Sequence, residues 1–129
     1  MKYLIIYLCI QTYVISISDN YLDHNPDTVM SKKQGKAAAD EMFTVITGAF
    51  TEMTMNYVHI SAEGDLVFCH GNMSGKNTGP MGPDMPATNA AYKDVEFYEV
   101  ARFENGKLAE RWGLMDMNTM MAQMGMMGQ

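Results

Sequence analysis

Residues 95–116 read VEFYEVARFENGKLAERWGLMD, and the fold is decided by how this stretch is read. Val95 to Phe103 is rich in β-branched and aromatic residues, the composition of a half-buried strand. Glu104-Asn105-Gly106 follows, and an Asn-Gly pair supplies the two positive-φ residues of a tight hairpin turn. Lys107 to Asp116 then returns. Strict alternation puts Leu108, Glu110, Trp112, Leu114 and Asp116 on one side of this second strand. That face is apolar apart from two carboxylates, and a buried carboxylate must be paired or put to use.

The remaining composition narrows the classes. A chain of 129 residues with 47% hydrophobic content suits one globular domain. A formal net charge of −6 and the lack of any Lys/Arg cluster argue against nucleic acid as a partner. Cys9 and Cys69 have no metal-like spacing, and a free buried thiol at Cys69 is preferred over a disulfide between the two. Fifteen methionines are compatible with an adaptable apolar pocket.

Outward from the hairpin, the N-terminal side divides into three parts. Residues 1–18 (MKYLIIYLCIQTYVISIS) read as a structural first segment, helix or strand, or as a signal-like or truncated end. The run is too short for a membrane span. The main domain is set at residues 19–129. Asp19 to Pro26 contains Tyr21, His24, Asn25 and Pro26, and its plain reading is a loop whose His and Asn satisfy backbone groups. Lys36 to Phe50 carries Ala39, Phe43, Ile46 and Phe50 at helical spacing, an amphipathic helix packed on a sheet.

On the other side of that helix, Thr54 to Ala62 and Leu66 to Gly75 read as strands joined by a Glu63-Gly64-Asp65 turn. In the second, Val67, Cys69 and Met73 form the more apolar set and face the helices, which puts His70 on the outer face in an interface or structural role. Lys76 to Ala91 is a Gly/Pro-rich loop of the kind that lids a pocket. Met117 onward begins a short helix capped by Asn118.

These pieces resemble one family. Arg102, Phe103, Gly106, Lys107, Glu110, Trp112, Asp116, Gln123 and Gly125 stand where SnoaL-like polyketide cyclases, of the NTF2-like superfamily, carry their closing hairpin. Tyr21, His24, Asn25 and Pro26 match that family's Tyr-x-x-His-Asn-Pro. Gly75, Gly79, Met81, Gly82, Pro83 and Pro86 follow its loop pattern, with Asn77 where a histidine is frequent. The resemblance implies an α+β fold: a cone-shaped barrel in which a curved antiparallel sheet wraps around helices and leaves an apolar pocket.

It further implies a cofactor-independent intramolecular aldol condensation or isomerisation, with no metal. Asp116 would be the acid/base, its pKa raised by desolvation beside Trp112. His24 or Asn77 would polarise the carbonyl, and Trp112 would wall an aromatic substrate. Tyr98, Met81, Asn25 and Leu114 complete the expected substrate contacts. The implied partners are a small apolar or aromatic carbonyl ligand and a second copy in a homodimer. The implied location is the cytoplasm, or outside the cell if residues 1–18 act as a signal. The competing reading is a non-catalytic small-molecule binding or dimerisation module, in which Asp116 pairs with Arg111 or a backbone amide. A third, epoxide hydrolysis by a related barrel, needs a carboxylate–arginine–carboxylate set. No arginine shares the parity of Glu110 and Asp116, which ranks it last.

Overall fold

A computed structural model describes residues 16–26 and 31–127. The expectations for residues 1–15, including Cys9, lie outside them. Five strands and two helices follow in the order β1 (Ile17–Asp23), α1 (Gly35–Ala49), β2 (Phe50–Glu63), β3 (Leu66–Asn77), β4 (Ala91–Glu104), β5 (Lys107–Met115) and α2 (Met117–Gln123). Among the described residues they form one sheet in the order β1-β5-β4-β3-β2, with β1 and β2 at its edges. Register shifts interrupt every strand pair. Extra residues of this kind bend and twist a sheet, so the long β2–β3–β4 ladder curves into the expected α+β cone.

The turn chemistry holds. Asn105 and Gly106 have φ of 51° and 74°, and Gly64 has φ of 59°. The helix begins one residue before the expected Lys36. Phe50, read as its last apolar residue, instead opens β2 with extended backbone and lies in the core.

Two expectations change. Asp19 to Pro26 is not simply a loop, because Ile17–Asp23 is an edge strand running parallel to β5. The sheet is therefore mixed rather than purely antiparallel.

The larger change is in β5. Phe103 pairs with Leu108, but Arg102 pairs with Glu110, so Ala109 is an extra residue. A one-residue bulge flips every later side chain to the opposite face. Leu108 stays inside, whereas Glu110, Trp112 and Leu114 move to the outer face and Arg111 and Gly113 turn inward. Leu114 is 67% exposed as a result.

The core lies on the concave face. Val67, Cys69, Met73, Val95 and Phe97 line it from the strands, Ala49 from α1, and Met81, Met120 and Met124 from the loop and α2. Met120 and Met124 are thus fully buried parts of that core. Cys69 is buried and free, and burial pushes its thiol up to about 12, which keeps it protonated and unreactive.

Candidate functional site

The flip in β5 assembles a polar cluster inside the cone. Arg111 Nε donates to Glu99 Oε1 at 3.0 Å, and Nη1 donates to Asp23 Oδ2 at 3.1 Å. Tyr21 Oη donates to the same Asp23 oxygen at 3.3 Å. Each contribution follows from local pairing: Glu99 lies opposite Gly113, Arg111 opposite Ala101, and Asp23 beside Arg111. Gly113 makes room, since a Cβ there would stand 2.2 Å from Arg111 Nη2. The guanidinium therefore packs directly against Gly113.

Burial works against the Arg111 charge, but the Glu99 and Asp23 carboxylates outweigh it and raise its pKa above the ordinary arginine value. Burial first, then the Asp23 charge, pushes the Tyr21 phenol up, so it remains a hydrogen-bond donor. Tyr21 and Asp23 form the polar floor of a cleft of about 410 Å³ between β1 and the first half of α1. Leu22, Pro26, Ala38 and Met42 give it apolar walls, and Lys33 and Gln34 stand at the α1 end. An apolar cleft with a few convergent polar groups is the usual form of a small-molecule site.

The residues singled out in the sequence do not converge there. Asp116 is exposed and caps α2, accepting from Thr119 N at 3.1 Å and from Thr119 Oγ1 at 2.6 Å. Those two hydrogen bonds hold its carboxyl below the usual range, opposite to the expected desolvation shift. It bonds a backbone amide, one of the two partners foreseen in the non-catalytic reading, and it takes the capping place expected of Asn118.

His24 Nε2 donates to Glu110 Oε1 at 2.7 Å, and its ring stacks on Trp112 at 4.5 Å and 4° on the outer face. Arg102 Nε takes the other Glu110 oxygen at 2.8 Å. The Arg102 bond first and the His24 bond second hold Glu110 below the usual carboxylate range. The carboxylate that looked costly in β5 is thus paired and outside.

Asn77 is fully buried, and its polar groups are spent within the protein. Its amide donates to Ala49 O and Gly79 O, and its Oδ1 accepts from Thr88 N. It clamps the loop to the end of α1. Met81 is core, and Tyr98 and Leu114 are exposed on the outer face. Asn25 accepts from Gly113 N at 3.1 Å and ties the segment after β1 to β5. Of the family-matching residues, Tyr21 reaches the cleft, while Gln123 bonds both the N–H and the C=O of Lys93 and docks α2.

Asp23, Glu99 and Arg111 were missed because alternation through Ala109 turned Arg111 outward. The one available signal was the small Ala109 at the turn end of the strand. Among the described residues, no group of three or more His, Cys, Asp or Glu side chains is arranged to hold a metal ion. No helix among them is long and apolar enough to cross a membrane.

The capping role is testable. Asp116→Ala is expected to speed amide exchange at Thr119 and Met120, while Asp116→Asn keeps it slow, because asparagine also caps. The lowered carboxyl stabilises the fold above the ordinary aspartate pKa and loses that effect as pH falls through its folded value. Wild-type α2 should therefore loosen on acidification, and the alanine variant should show no such step.

An open curved sheet with helices on its concave face and a cleft at one end defines an NTF2-like α+β protein. The profile of the SnoaL-like polyketide cyclases matches residues 11–124, and the chain belongs to that family. Solved structures agree on the fold. TsrD from Streptomyces laurentii is similar at 20% identity, with a TM-score of 0.66 over 86% of this chain and 78% of its own. IdmH from Streptomyces antibioticus gives 22%, 0.66, 84% and 81% on the same measures. A SnoaL-like protein from Jannaschia sp. CCS1 gives 17%, 0.67, 88% and 76%. No curated protein sequence matches the chain.

Proposed function

We propose that this protein is a cofactor-independent small-molecule enzyme of the cyclase or isomerase type, acting on carbon next to a carbonyl in the cleft between β1 and α1. The observation that carries the reading is the Asp23–Arg111–Glu99 cluster, whose Asp23, with Tyr21, lines that cleft while Arg111 and Glu99 stand behind it. Asp23 is the proton acceptor and later the donor. A methylene between two carbonyls stabilises its own carbanion, so a carboxylate suffices as base. Tyr21, turning its one hydroxyl hydrogen from Asp23 to the substrate, donates to the oxygen where negative charge develops, and the Arg111 charge lies behind it. This assignment takes the acid/base role from Asp116, whose exposure and lowered pKa suit a cap better than a desolvated base.

A second reading has a specific observation in its favour. Two carboxylates flanking one arginine are the set that epoxide hydrolysis requires, and Asp23, Arg111 and Glu99 supply it. One experiment separates the readings. Purified protein is offered polycyclic 1,3-diketones and styrene oxide, with mass-spectrometric detection of cyclised and hydrated products. Diketone turnover that disappears in Asp23→Asn supports the first reading. Epoxide hydration supports the second. Retained ligand without turnover of either would leave the non-catalytic binding role.

The homodimer belongs here as well. Leu114, 67% exposed at the far end of β5, supports pairing of two copies through that end of the outer face. Sedimentation of wild type as a dimer and of Leu114→Asp as a monomer is expected. A wild-type monomer at high concentration would remove the proposal.

A further inference from the structure

The outer face carries a second, unrelated constellation on β2, β3 and β4. His59 and His70 are directly opposed in the β2–β3 ladder, and His70 is opposite Tyr98 in β3–β4. Their ring nitrogens form a chain. His70 Nε2 meets Glu96 Oε1 at 2.7 Å, His70 Nδ1 meets His59 Nδ1 at 3.0 Å, and Tyr98 Oη donates to the same Glu96 oxygen at 2.9 Å. The His70 ring also stacks on Tyr98 at 4.4 Å and 15°. Three strands thus fix one side chain behind another.

The direction of the chain follows from its far end. The bonds from His70 and then Tyr98 hold Glu96 below the usual carboxylate range, so it is ionised and only accepts. His70 Nε2 must therefore carry the hydrogen. In neutral His70 the Nδ1 is then a bare acceptor, and His59 Nδ1–H must be the donor to it. That leaves His59 Nε2 as an unprotonated nitrogen with no protein partner among the described residues. Glu96 and His70 orient it as a carboxylate orients a catalytic histidine, with one imidazole more in the line.

The His59 ring does not stand on featureless surface. His59, His70 and Tyr98 line a concavity of about 560 Å³ together with Val58, Phe68 and Val100. Aromatic rings and branched apolar side chains there suit a flat ring. A bare nitrogen backed by a carboxylate suits a hydroxyl acidic enough to give up its proton. We propose that this concavity is a second ligand site, distinct from the cleft, for a planar molecule bearing a phenolic or enolic hydroxyl. On binding, the hydroxyl proton moves to His59 Nε2. The ligand becomes an anion, His59 becomes an imidazolium, and Glu96 balances the new positive charge through His70. No proton is lost to solvent.

The test uses 4-nitrophenol, whose visible absorption separates phenol from phenolate, with nitrobenzene as the partner lacking the hydroxyl. Below the solution pKa of the probe, wild-type protein should bind it with the phenolate band. His59→Phe keeps an aromatic wall and should weaken 4-nitrophenol binding about tenfold, the worth of one hydrogen bond to a charged group, without changing nitrobenzene binding. Glu96→Gln still accepts from His70 but carries no charge, so the probe should bind with its phenolate band lost. A residue that merely shaped the surface would not move that band. Equal affinity in wild type and His59→Phe would overturn the proposal. So would absence of binding, as when a second copy covers the face, or a phenolate band abolished by Asp23→Asn, which would put the probe in the cleft.

Discussion

Asp23→Asn is expected to lower turnover by about 10²–10⁴-fold, the range lost when a positioned acid/base group is removed. The substitution keeps the shape of the side chain. Its oxygen still accepts from Asn25 N, a bond of 2.9 Å in the native protein, and Arg111 retains Glu99. The variant should therefore fold and should still bind ketones with an affinity close to that of wild type. What it loses is the ability to take a proton. A fall in turnover matched by an equal loss of ligand binding would make Asp23 a contact residue instead. Steady-state rates together with equilibrium titration distinguish the two.

The second large effect is structural. Arg111→Ala leaves Asp23 and Glu99, whose side chains are 11% and 18% exposed, without their shared cation. Breaking a buried ion pair by removing one partner is strongly destabilising, because the remaining charge stays desolvated. With two carboxylates stranded but partly wet, the loss should be about 2–3 kcal/mol, discounted for that exposure. For a domain of this size it corresponds to a fall in Tm of about 10 °C. Denaturation at falling pH supplies the internal check. Protonating the stranded carboxyls removes their need for a partner, so the gap between variant and wild type should narrow in acid. A gap that is constant with pH would point to lost packing of the arginine stem.

Much of the cone is legible in the sequence. The Asn105-Gly106 turn, the helix stripe and the alternation of Val67, Cys69 and Met73 each have a local physical cause, and each was read from a few neighbouring residues. What escaped was long-range. The bulge at Ala109 is set by the pairing of β5 with β4 and β1, and the small Ala109 alone is too weak a local signal to announce the slip. That single residue decides whether Trp112 or Arg111 faces the interior, so the site reading turned on it. The strand at Ile17–Asp23 escaped for a related reason, since its partner lies some ninety positions away in β5. Asp116 was found as a special residue but given the wrong environment. Its position one residue before an amphipathic helix already fitted an N-cap.

The outer face teaches the same lesson in reverse. His70 was placed outside by simple parity, and the structure has it there. The link from His59 through His70 to Glu96 depends on the register of three strands and could not be drawn from spacing alone.

The central claim is that proton transfer belongs to the cluster at Asp23 and not to the carboxylate that caps α2. The direct measurement is exchange of the α-hydrogens of 2-tetralone into deuterated buffer, followed by NMR, with wild type, Asp23→Asn and Asp116→Asn compared at one pH. The account predicts protein-catalysed exchange in wild type and Asp116→Asn and none above background in Asp23→Asn. Exchange that survives in Asp23→Asn and vanishes in Asp116→Asn would contradict it.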